Sequence, residues 1–422
     1  MPDLKGFELA LYLITAFIQI FVFVFGGYYI FISFFGWSNK KTNTEPKETK
    51  LHRFAMLVAA HNEEMVIANM VKSLQNLNYP REYYDIFVIA DNCDDATAER
   101  AREAGALVYE RTNDKLRGKG YALEWMFEKI FEMGDKYDSI SIFDADNVVN
   151  KNYLYEMNKE LNKGYEVVQG VIDSKNPFDS WITCAYSVSF WSISRMFQNA
   201  RYNLGMTCQL SGTGFVVSTK LLKEIGWGAT CLTEDMEFTA KLALMGKKVG
   251  WAHKAVVYDE KPLTFKQSWH QRIRWMQGHA DVASRFTRKL FKRAFKERDF
   301  SAFDCAIYLL QPVKVVALLF ATIFGFGQLF GIFDMFDMSH LFGSKELWSI
   351  IGVMQMFYIP FIVTYEKRII NGHLIWSYLI YGFYSLTWIP ITIIGWCKKN
   401  HKEWSHTKHT RQITIDELEK IQ

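Results

Sequence analysis

The stretch Ser139-Ile140-Ser141-Ile142-Phe143-Asp144-Ala145-Asp146-Asn147 decides the fold. Apolar residues alternate along it and are followed by two carboxylates, which predicts a short buried strand that ends at Asp144. In an α/β sheet, ligands bind in the crevice beyond the carboxyl ends of the strands. The oxygen atoms of an Asp-x-Asp sequence at that place suit Mg²⁺ or Mn²⁺ bound to a diphosphate. The alternative is an ordinary polar turn, and the neighbouring segments have to distinguish the two.

The segments around this stretch alternate between strand and helix. We predict strands over 54–60, 84–90 and 106–109, and helices over 65–77 and 96–104. Such alternation is typical of an α/β fold, in which a mostly parallel sheet carries helices on both faces. We therefore expect the ends of these strands to meet at one edge of the sheet.

Polar residues follow two other predicted strands. His61-Asn62-Glu63-Glu64 follows the first, and Asp91 ends the second, where its carboxylate could accept hydrogen bonds from a base or a ribose. The turn Arg117-Gly118-Lys119-Gly120 opens a helix, and its backbone and lysine could approach phosphates closely. A plain helix start is an equally good interpretation of that turn. Together these residues predict a nucleotide site at the sheet edge.

Two further motifs lie downstream of a predicted strand over 166–172 and a predicted amphipathic helix over 181–201. Ser211-Gly212-Thr213-Gly214 is a turn of small residues that a ligand or another chain segment can approach closely. In Thr233-Glu234-Asp235, the threonine is a candidate helix N-cap with acids near the first turn. A cap needs only one acid, so the adjacent pair Glu234 and Asp235 counts against a simple capping motif.

A helix predicted around Trp269–His279 places Gln271, Arg274 and Trp275 on one face, because residues three and four apart are neighbours. An amide, a guanidinium and an indole together could hold a phosphate beside a sugar ring. The alternative is a basic amphipathic helix that lies on anionic headgroups, which is what we predict for 285–298.

Four uncharged apolar segments flank the globular sequence, over 9–37, 315–333, 347–365 and 374–396. Each is long enough to cross a hydrocarbon core of about 30 Å as a helix. Pro390 could split the last segment into two pieces, which leaves the number of crossings open. The aromatic residues of that segment could line a channel or form an interfacial belt.

The charge distribution predicts the orientation in the membrane. Five basic residues lie in 40–53, against Lys5 before the first apolar segment, so the positive-inside rule places the central domain in the cytoplasm. No cleavage pattern follows the first segment, which predicts an uncleaved anchor in the plasma membrane. A net charge of +4 does not indicate nucleic acid, and the six cysteines lack the spacing of a zinc site.

These features divide the chain into five parts. They are a transmembrane anchor over 1–38, a cytosolic globular domain over 39–262, interfacial helices over 263–304, a membrane region over 305–397 and a cytosolic tail over 398–422. The chain is therefore expected to be a multi-pass membrane protein whose functional residues lie in or beside the globular domain.

Four motifs, in order and followed by membrane helices, resemble the processive membrane family-2 glycosyltransferases, which include cellulose, mixed-linkage glucan, chitin, hyaluronan and poly-N-acetylglucosamine synthases. The motifs are Asp91, Asp144-Ala145-Asp146, Thr233-Glu234-Asp235 and Gln271-Arg272-Ile273-Arg274-Trp275. The resemblance covers 57–278 by motif, although Ala59 stands where a proline is common. A looser match, Trp404–Arg411, resembles the gating segment of some members. The resemblance implies a GT-A-like fold.

The resemblance also implies roles for the matched residues. It implies that the nucleotide and substrate are bound by Ala60, His61, Glu63, Asp91, Lys119, Asp144, Asp146, Gln271, Arg272 and Arg274. It implies that Asp146, together with Asp144, holds the diphosphate through Mg²⁺ or Mn²⁺. It implies that Asp235 is the general base, beside Glu234 and Thr233. The implied acceptor-site residues are Ser211, Gly212, Thr213, Gly214 and Trp275.

The function implied by the resemblance is inverting, processive transfer from a UDP-sugar to a growing polysaccharide, which is exported through the membrane helices. We favour UDP-glucose as the donor and a β-glucan such as cellulose or mixed-linkage glucan as the product. The alternatives are a polymer synthase that uses UDP-N-acetylglucosamine, a non-processive lipid glycosyltransferase, and a membrane scaffold or transporter with a degenerate nucleotide fold. The expected partners are the UDP-sugar, the polysaccharide acceptor, the lipid bilayer and export accessory proteins.

Overall fold

The computed structural model describes residues 6–38, 50–229, 231–332, 336, 345–367, 372–400, 409 and 411–421. The predicted linker over 39–49 lies outside the described residues. So does most of the segment that resembles a gating segment, of which His409 and Arg411 are described.

One eight-stranded sheet forms the centre of the globular domain, in the order β3-β2-β1-β4-β7-β6-β8-β5. The strands are β1 (Phe54–Ala60), β2 (Tyr84–Asp91), β3 (Leu107–Arg111), β4 (Ser139–Asp144), β5 (Val148–Val149), β6 (Val167–Ser174), β7 (Phe215–Ser218) and β8 (Val249–Asp259). The first four are mutually parallel, as predicted. The second half is mixed, because β7 runs antiparallel to both β4 and β6, and β5 runs antiparallel to β8.

Sixteen helices are found in the described residues. They are α1 (Phe7–Phe34), α2 (Ile67–Gln75), α3 (Thr97–Glu103), α4 (Lys119–Glu132), α5 (Tyr153–Asn162), α6 (Trp181–Ile193), α7 (Ala200–Asn203), α8 (Thr219–Ile225), α9 (Glu234–Leu244), α10 (Phe265–Glu297), α11 (Phe300–Leu309), α12 (Gln311–Leu329), α13 (Lys345–Lys367), α14 (Gly372–Leu386), α15 (Trp388–Cys397) and α16 (Ile415–Ile421).

The sheet is buried on both faces, because successive side chains of a strand point to opposite sides. On one face, Met56 and Val58 of β1 pack in a cluster with α2 and α5. On the other, Leu57 packs with α4, α8 and α9. The register pairs Ala59 with Asp144 and Ala60 with Ala90, so β1, β2 and β4 end at the same edge. This edge is where the polar residues that follow each strand meet.

The predicted single amphipathic helix over 181–201 is interrupted in the structure. Helix α6 is followed by a π-helical turn, Ser194–Asn199, and then by α7. The prediction of an amphipathic helix is also wrong, because α6 is buried on opposite sides. Its residues Cys184, Val188 and Trp191 pack with the apolar side chains of α13 and α14, and Ile182, Ala185 and Tyr186 are buried in a second cluster with Tyr384.

Three helices in the described residues are long and apolar enough to cross a membrane. They span Phe7–Trp37, Gln311–Leu329 and Gly372–Cys397. The remaining apolar segment of the four that the sequence predicted, over 347–365, lies within α13. Helix α14 ends at Leu386 and α15 begins at Trp388, so the last segment is interrupted as predicted. The reason is that Pro390 has no N–H to donate to the carbonyl of Leu386, four residues earlier.

The end of the chain returns to the globular domain. Ile413, Ile415 and Leu418 are buried in a cluster with Val148 of β5 and Tyr258 of β8. The docking of α16 on this side of the sheet brings the segment before it over the carboxyl edge of the central strands, where His409 lies beside Glu63.

Candidate active site

A cleft of about 1180 Å³ opens at the carboxyl edge of the sheet and extends to the break between α14 and α15. It brings together residues from all four motifs, although they are far apart in the sequence. The predicted site residues that line it are Ala60, His61, Glu63, Asp91, Lys119, Asp144, Asp146, Ser211, Gly212, Thr213, Thr233, Glu234, Asp235, Gln271, Arg274 and Trp275. Two predicted residues, Gly214 and Arg272, do not line it.

Asp144 is held in the cleft by its backbone and by a lysine. Its N–H lies 3.1 Å from both Asn147 Oδ1 and Thr213 Oγ1, which orients the turn after β4. Lys119 forms an ion pair with the Asp144 carboxylate, and its Nζ donates to the Gly212 carbonyl at 2.7 Å. The preceding Gly118 has φ +113°, a conformation that favours glycine, so the glycine-rich turn serves to aim Lys119 at Asp144.

Asp146 is almost fully buried at the other side of the same turn. Its Oδ2 accepts a hydrogen bond from the Glu260 N–H at 3.0 Å, and its Oδ1 accepts one from the Asn147 side chain at 3.2 Å. Burial acts to raise the pKa of Asp146, but the charges of His409 and Lys175 lower it below the usual value for aspartate. The carboxylate is therefore ionised.

His409 was missing from the predicted site residues. Its Nδ1 lies 2.9 Å from Glu63 Oε1, and its Nε2 lies 3.9 Å from Asp146 Oδ2. A single histidine in a polar tail has no periodic pattern around it, and only the resemblance of Trp404–Arg411 to a gating segment pointed to this part of the chain. The folding of the tail onto the sheet is what places the imidazole in the cleft.

The two carboxylates after β4 suit a divalent cation whose remaining ligands come from a substrate. Within the described ranges, no three His, Cys, Asp or Glu side chains converge to hold a metal by themselves. Mg²⁺ and related ions are commonly held by one or two carboxylates plus the oxygens of a substrate phosphate. Asp144 and Asp146 both line the cleft, where they could provide the carboxylates of such a site.

Glu234 and Asp235 begin α9 and also line the cleft. Thr233 occupies the N-cap position, but its side chain makes no capping hydrogen bond. Asp235 Oδ1 instead accepts from the Met236 N–H at 2.8 Å. Burial raises the pKa of Glu234 to about 7 and that of Asp235 to about 6. A carboxylate whose pKa lies this close to neutrality is suited to accept a proton at physiological pH.

One face of α10 forms another wall of the cleft. Gln271, Arg274 and Trp275 line it, as their spacing predicted. Gln271 Oε1 accepts a hydrogen bond from the Tyr186 hydroxyl at 3.0 Å, and the Trp275 ring centroid lies 6.0 Å from that of Tyr186. Burial lowers the pKa of Arg274, whereas the charges of Glu234 and Asp144 act in the opposite direction. The guanidinium is thus close to acids from two motifs.

The structure does not place Arg272 at the cleft, which corrects its implied role. Each residue of an α-helix is rotated by about 100° from the last, so Arg272 points away from the face of Gln271. Its side chain is fully buried, with the guanidinium 4.4 Å from the Tyr384 ring centroid and 5.1 Å from that of Trp388. Its Nη1 donates to Thr387 Oγ1 at 2.8 Å. Arg272 instead contacts and stabilises the segment where α14 ends and α15 begins.

Two residues of the small-residue turn also differ from their implied roles. Gly214 packs against β8: a Cβ there would lie 2.9 Å from Val257 Cγ2, and its φ is +63°. Thr213 lines the cleft but its hydroxyl hydrogen-bonds to Asn147 and to the Asp144 N–H, so it supports the Asp-x-Asp turn. Ser211 and Gly212 remain available to an acceptor.

Asp91 lines the cleft, and its carboxylate already forms an ion pair. It forms a buried ion pair with Arg111, whose Nη2 donates to the Leu116 carbonyl at 2.7 Å. The Asp91 carbonyl lies 2.7 Å from His61 Nδ1. Arg111 was not predicted, although its position at the end of β3, paired in register with Asp91, is where a strand-end partner would lie. The pair fixes both Asp91 and the loop that leads to Lys119.

Many of the side chains that line the cleft are aromatic. They are Tyr186, Phe190, Phe197, Trp251, Trp275, Tyr308, Tyr384 and Trp388. Of the aromatic residues in the last apolar segment, Tyr384 and Trp388 line the cleft, whereas Trp376 and Phe383 are exposed on the outside of α14. The aromatic wall comes from five separate parts of the fold, so no local pattern could have predicted it.

Comparisons with known proteins agree with this architecture. A beta-monoglucosyldiacylglycerol synthase of Trichormus variabilis is 29% identical over 285 residues, which cover 64% of this chain and 58% of that protein. A poly-beta-1,6-N-acetyl-D-glucosamine synthase of Staphylococcus epidermidis is 23% identical over 374 residues, which cover 84% of this chain and 86% of that protein.

A mannosyltransferase of Pyrobaculum calidifontis, solved with GDP-mannose and Mn²⁺, has a similar structure. It superimposes with a TM-score of 0.60 and 14% identity, covering 92% of this chain and 99% of that one, which shows a GT-A-like fold. The profile described as glycosyltransferase like family 2 matches residues 52–278, more than half of the chain. The chain therefore belongs to family 2 of the glycosyltransferases.

Proposed function

We propose that the protein transfers a sugar, with inversion, from a UDP-sugar to a hydroxyl of a growing polysaccharide. The observation that supports this most strongly is that one cleft joins Asp144 and Asp146 to Asp235 and Arg274. Inverting transfer requires a base on the acceptor side and positive charge on the leaving-group side. Residues that could meet both requirements line this one cleft.

On the donor side, the proposed nucleoside contacts are Ala60, His61, Glu63 and Asp91. A divalent cation held by Asp144 and Asp146 would neutralise the negative charge that develops on the diphosphate. Lys119 and Arg274 add fixed positive charge near the same position, since both are close to Asp144. UDP then departs with the electron pair of the broken bond to the anomeric carbon, and no protein acid needs to protonate it.

On the acceptor side, the proposed base is Asp235, which takes the proton of the attacking hydroxyl as the new glycosidic bond forms. Trp275 offers a flat apolar surface on which an acceptor sugar can stack. Ser211 and Gly212 lie on the same side of the cleft as Asp235, since a Cβ at Gly212 would be 3.7 Å from Asp235 Oδ2.

A polymeric acceptor is supported by the extent of the cleft. Its aromatic wall includes Tyr384 and Trp388, at the break between α14 and α15. A polysaccharide cannot cross lipid unaided because its hydroxyl groups would lose their hydration. A cleft that runs from the transfer site to the membrane-side helices α14 and α15 would bring the growing chain to the membrane interface, from which it could be exported. The relative that matches nearly the whole chain is named as a polymer synthase, which supports the same acceptor.

The lipid glycosyltransferase is the second candidate, because the relative with 29% identity is named as a synthase of a glucosyl lipid. That match spans little more than half of the relative. Two donors remain to be compared: UDP-glucose, which the sequence resemblance favoured, and UDP-N-acetylglucosamine, which the name of the polymer-synthase relative favours.

We also propose that the catalytic domain and the tail lie on the same side of the plasma membrane, in the cytoplasm. Helix α12 leaves the domain and ends with exposed Phe326 and Leu329. Helix α13 spans 23 residues, about 35 Å, and its last turn returns to the domain, where Lys367 forms an ion pair with Asp173. These two helices would therefore cross the membrane outward and back.

Helices α14 and α15 stay against the domain along their whole length. At the start of α14, the ring of His373 lies 6.4 Å from that of Phe178, and Tyr384 near its end lies 5.8 Å from Tyr186. At the end of α15, the Lys398 carbonyl accepts from Gln277 Nε2 at 3.2 Å. We therefore propose that this apolar segment lies at the membrane interface as a roof over the cleft. Two crossings after the domain then return the tail to the cytoplasm.

The test of the proposed function is to incubate membranes that contain the protein with radiolabelled UDP-glucose or UDP-N-acetylglucosamine. A product of high molecular weight, digested by linkage-specific hydrolases, would support the polymer synthase and identify the sugar. A labelled lipid with a single sugar would refute the polymeric acceptor in favour of the second candidate. Absence of UDP release from either donor would refute sugar transfer from these UDP-sugars. Membranes with the Asp146→Asn variant provide the control for endogenous enzymes.

A further inference from the structure

Helix α10 has three faces with different partners. One face carries Gln271, Arg274 and Trp275 into the cleft. A second packs against α15, and a third packs against α9, which begins with Glu234 and Asp235. The helix therefore lies between the membrane-side segment and the proposed base, and glycines are found at both contacts.

At the contact with α9, Gly278 lies directly against Thr233. A Cβ built on Gly278 would collide with Thr233 Oγ1, and it would lie 2.5 Å from its Cγ2 and 2.9 Å from its Cβ. Gly278 is buried, so an added methyl group has no free space to enter. Because Thr233 precedes Glu234 and Asp235 directly, any side chain at 278 has to displace the first turn of α9. Gly278 thus determines how closely the proposed base approaches the wall of the cleft.

At the contact with the membrane-side segment, Gly395 of α15 lies against the backbone of α10. A Cβ on Gly395 would collide with Met276 Cβ and lie 3.0 Å from the Met276 carbonyl carbon and 3.1 Å from the Gln277 nitrogen. Backbone atoms of a helix cannot rotate away as a side chain can, so an alanine here has to move one helix relative to the other. The hydrogen bond from Gln277 Nε2 to the Lys398 carbonyl, at 3.2 Å, fixes the same contact.

We infer that Gly278 and Gly395 are positioning residues, through which the roof helix α15 and helix α10 set the position of Asp235. The inference rests on the proposed function, because it concerns the base of the same reaction. Neither glycine touches the cleft, and neither is required to bind the donor nucleotide. A methyl group at either position is expected to slow the transfer step and to leave UDP binding intact.

The experiment compares Gly278→Ala, Gly395→Ala and Gly382→Ala in the purified full-length protein. Gly382 is also helical and exposed, and a Cβ there meets no atom within 4 Å, so it is the matched control for the glycine-to-alanine change. We expect kcat to fall about 10- to 100-fold for Gly278→Ala and about 10-fold for Gly395→Ala, since small displacements of catalytic groups have effects of this size. The KM for the UDP-sugar and the affinity for UDP should stay near those of the wild type. Gly382→Ala should match the wild type in kcat, in KM and in affinity for UDP.

A double mutant tests whether the contact with Thr233 is the cause. Thr233→Ala removes the two atoms nearest to the added methyl group, so Gly278→Ala should reduce kcat by a smaller factor in that background than in the wild type. Equal factors in both backgrounds would overturn the inference. So would a kcat for Gly278→Ala that matches Gly382→Ala, or a loss of UDP binding together with transfer. A wild-type protein that releases no UDP would refute the proposed function itself and is a separate outcome.

Discussion

At the scale of single residues, burial changes what Asp235 can do. An exposed aspartate is a weak base at neutral pH, whereas burial raises the pKa of Asp235 to about 6. Glu234, the neighbouring acid, has its pKa raised to about 7 by the same cause. Both side chains meet the cleft at the start of α9, so the two adjacent acids are more than the helix cap that the sequence also allowed.

The first prediction concerns the proposed base. Asp235→Asn keeps the shape of the side chain but cannot accept the proton, so transfer should fall by about 10²- to 10⁴-fold. The affinity for UDP, measured by calorimetry, should stay close to that of the wild type. Asp94→Asn, at an exposed acid outside the cleft, should behave as the wild type does. Normal polymerisation by Asp235→Asn would show that another group is the base.

The second prediction concerns pH. A base acts in its deprotonated form, so the rate should be constant above the pKa of Asp235 and fall as the pH drops through about 6. The pH dependence of the rate is measured from initial rates of UDP release between pH 5 and 8, at saturating donor and constant ionic strength. Burial raises the pKa of the neighbouring Glu234 to about 7, so Glu234→Gln removes the other acid that titrates in this range, and the fall through about 6 should persist in that variant. A flat wild-type profile down to pH 5 would contradict the assignment.

At the scale of elements, α10 shows how the helical period separates function from stability. Gln271, Arg274 and Trp275 share the cleft face, as their spacing predicted, whereas Arg272 is turned toward the break between α14 and α15. Two arginines that are two residues apart thus have different roles. The resemblance to a family motif assigned both of them to the substrate, and the helical rotation explains why that assignment was wrong for Arg272.

The third prediction compares Arg272 with Arg274, so that each variant is the control for the other. Arg272→Ala removes a fully buried side chain, with its contacts to Tyr384, Trp388 and Thr387, and should lower the free energy of unfolding by about 2–5 kcal/mol. The melting temperature of the protein in detergent should fall accordingly. Arg274→Ala should keep the melting temperature near the wild-type value and reduce kcat. If both variants lost activity without any loss of stability, Arg272 would have to contact the substrate.

At the scale of the whole molecule, distant parts of the chain enclose one cleft. The sheet edge provides the proposed donor site, residues of α9 and α10 line the cleft beside it, and the tail places His409 beside Glu63 and Asp146. The roof is formed by the break between α14 and α15. Loss of any of these contacts should therefore affect the cleft even when the changed residue is far from it.

The fourth prediction concerns the tail. Leu418→Asp puts a charge into the apolar cluster that docks α16 on β5 and β8, so α16 should detach and His409 should leave the cleft. We expect the KM for the UDP-sugar to rise several-fold, with little change in melting temperature. Gln412→Asp, at an exposed position of the same segment, is the control. An unchanged KM for Leu418→Asp would show that the tail does not contribute to donor binding.

The fifth prediction concerns the proposed crossings. Single cysteines at His373, in the first turn of α14, and at Asn400, just after α15, should react with a membrane-impermeant maleimide only after the cells are permeabilised. A cysteine at Ile332, just beyond α12, should react in intact cells. These three positions are exposed, so burial does not limit the reaction. Reaction of His373 and Asn400 from opposite sides would show that the segment crosses the membrane.

By itself, the sequence determined the parts of the protein that depend on local periodicity. Alternating apolar residues predicted β1, β2 and β4, and the acids at their ends predicted a site at the carboxyl edge. Helical spacing predicted the cleft face of α10, and Pro390 predicted the break in the last apolar segment. Each of these follows from residues within about ten positions of one another, where backbone geometry dictates which side chains are neighbours.

The tertiary structure alone decided which distant residues meet. It paired Asp91 with Arg111, brought His409 to Asp146, turned Gly214 toward Val257 and made the second half of the sheet mixed. It also assembled the aromatic wall and set Gly278 against Thr233. These contacts join segments that are far apart in the sequence, so no helix or strand periodicity relates them. They form because the faces of the sheet and of α10 are buried only when all of the elements pack together.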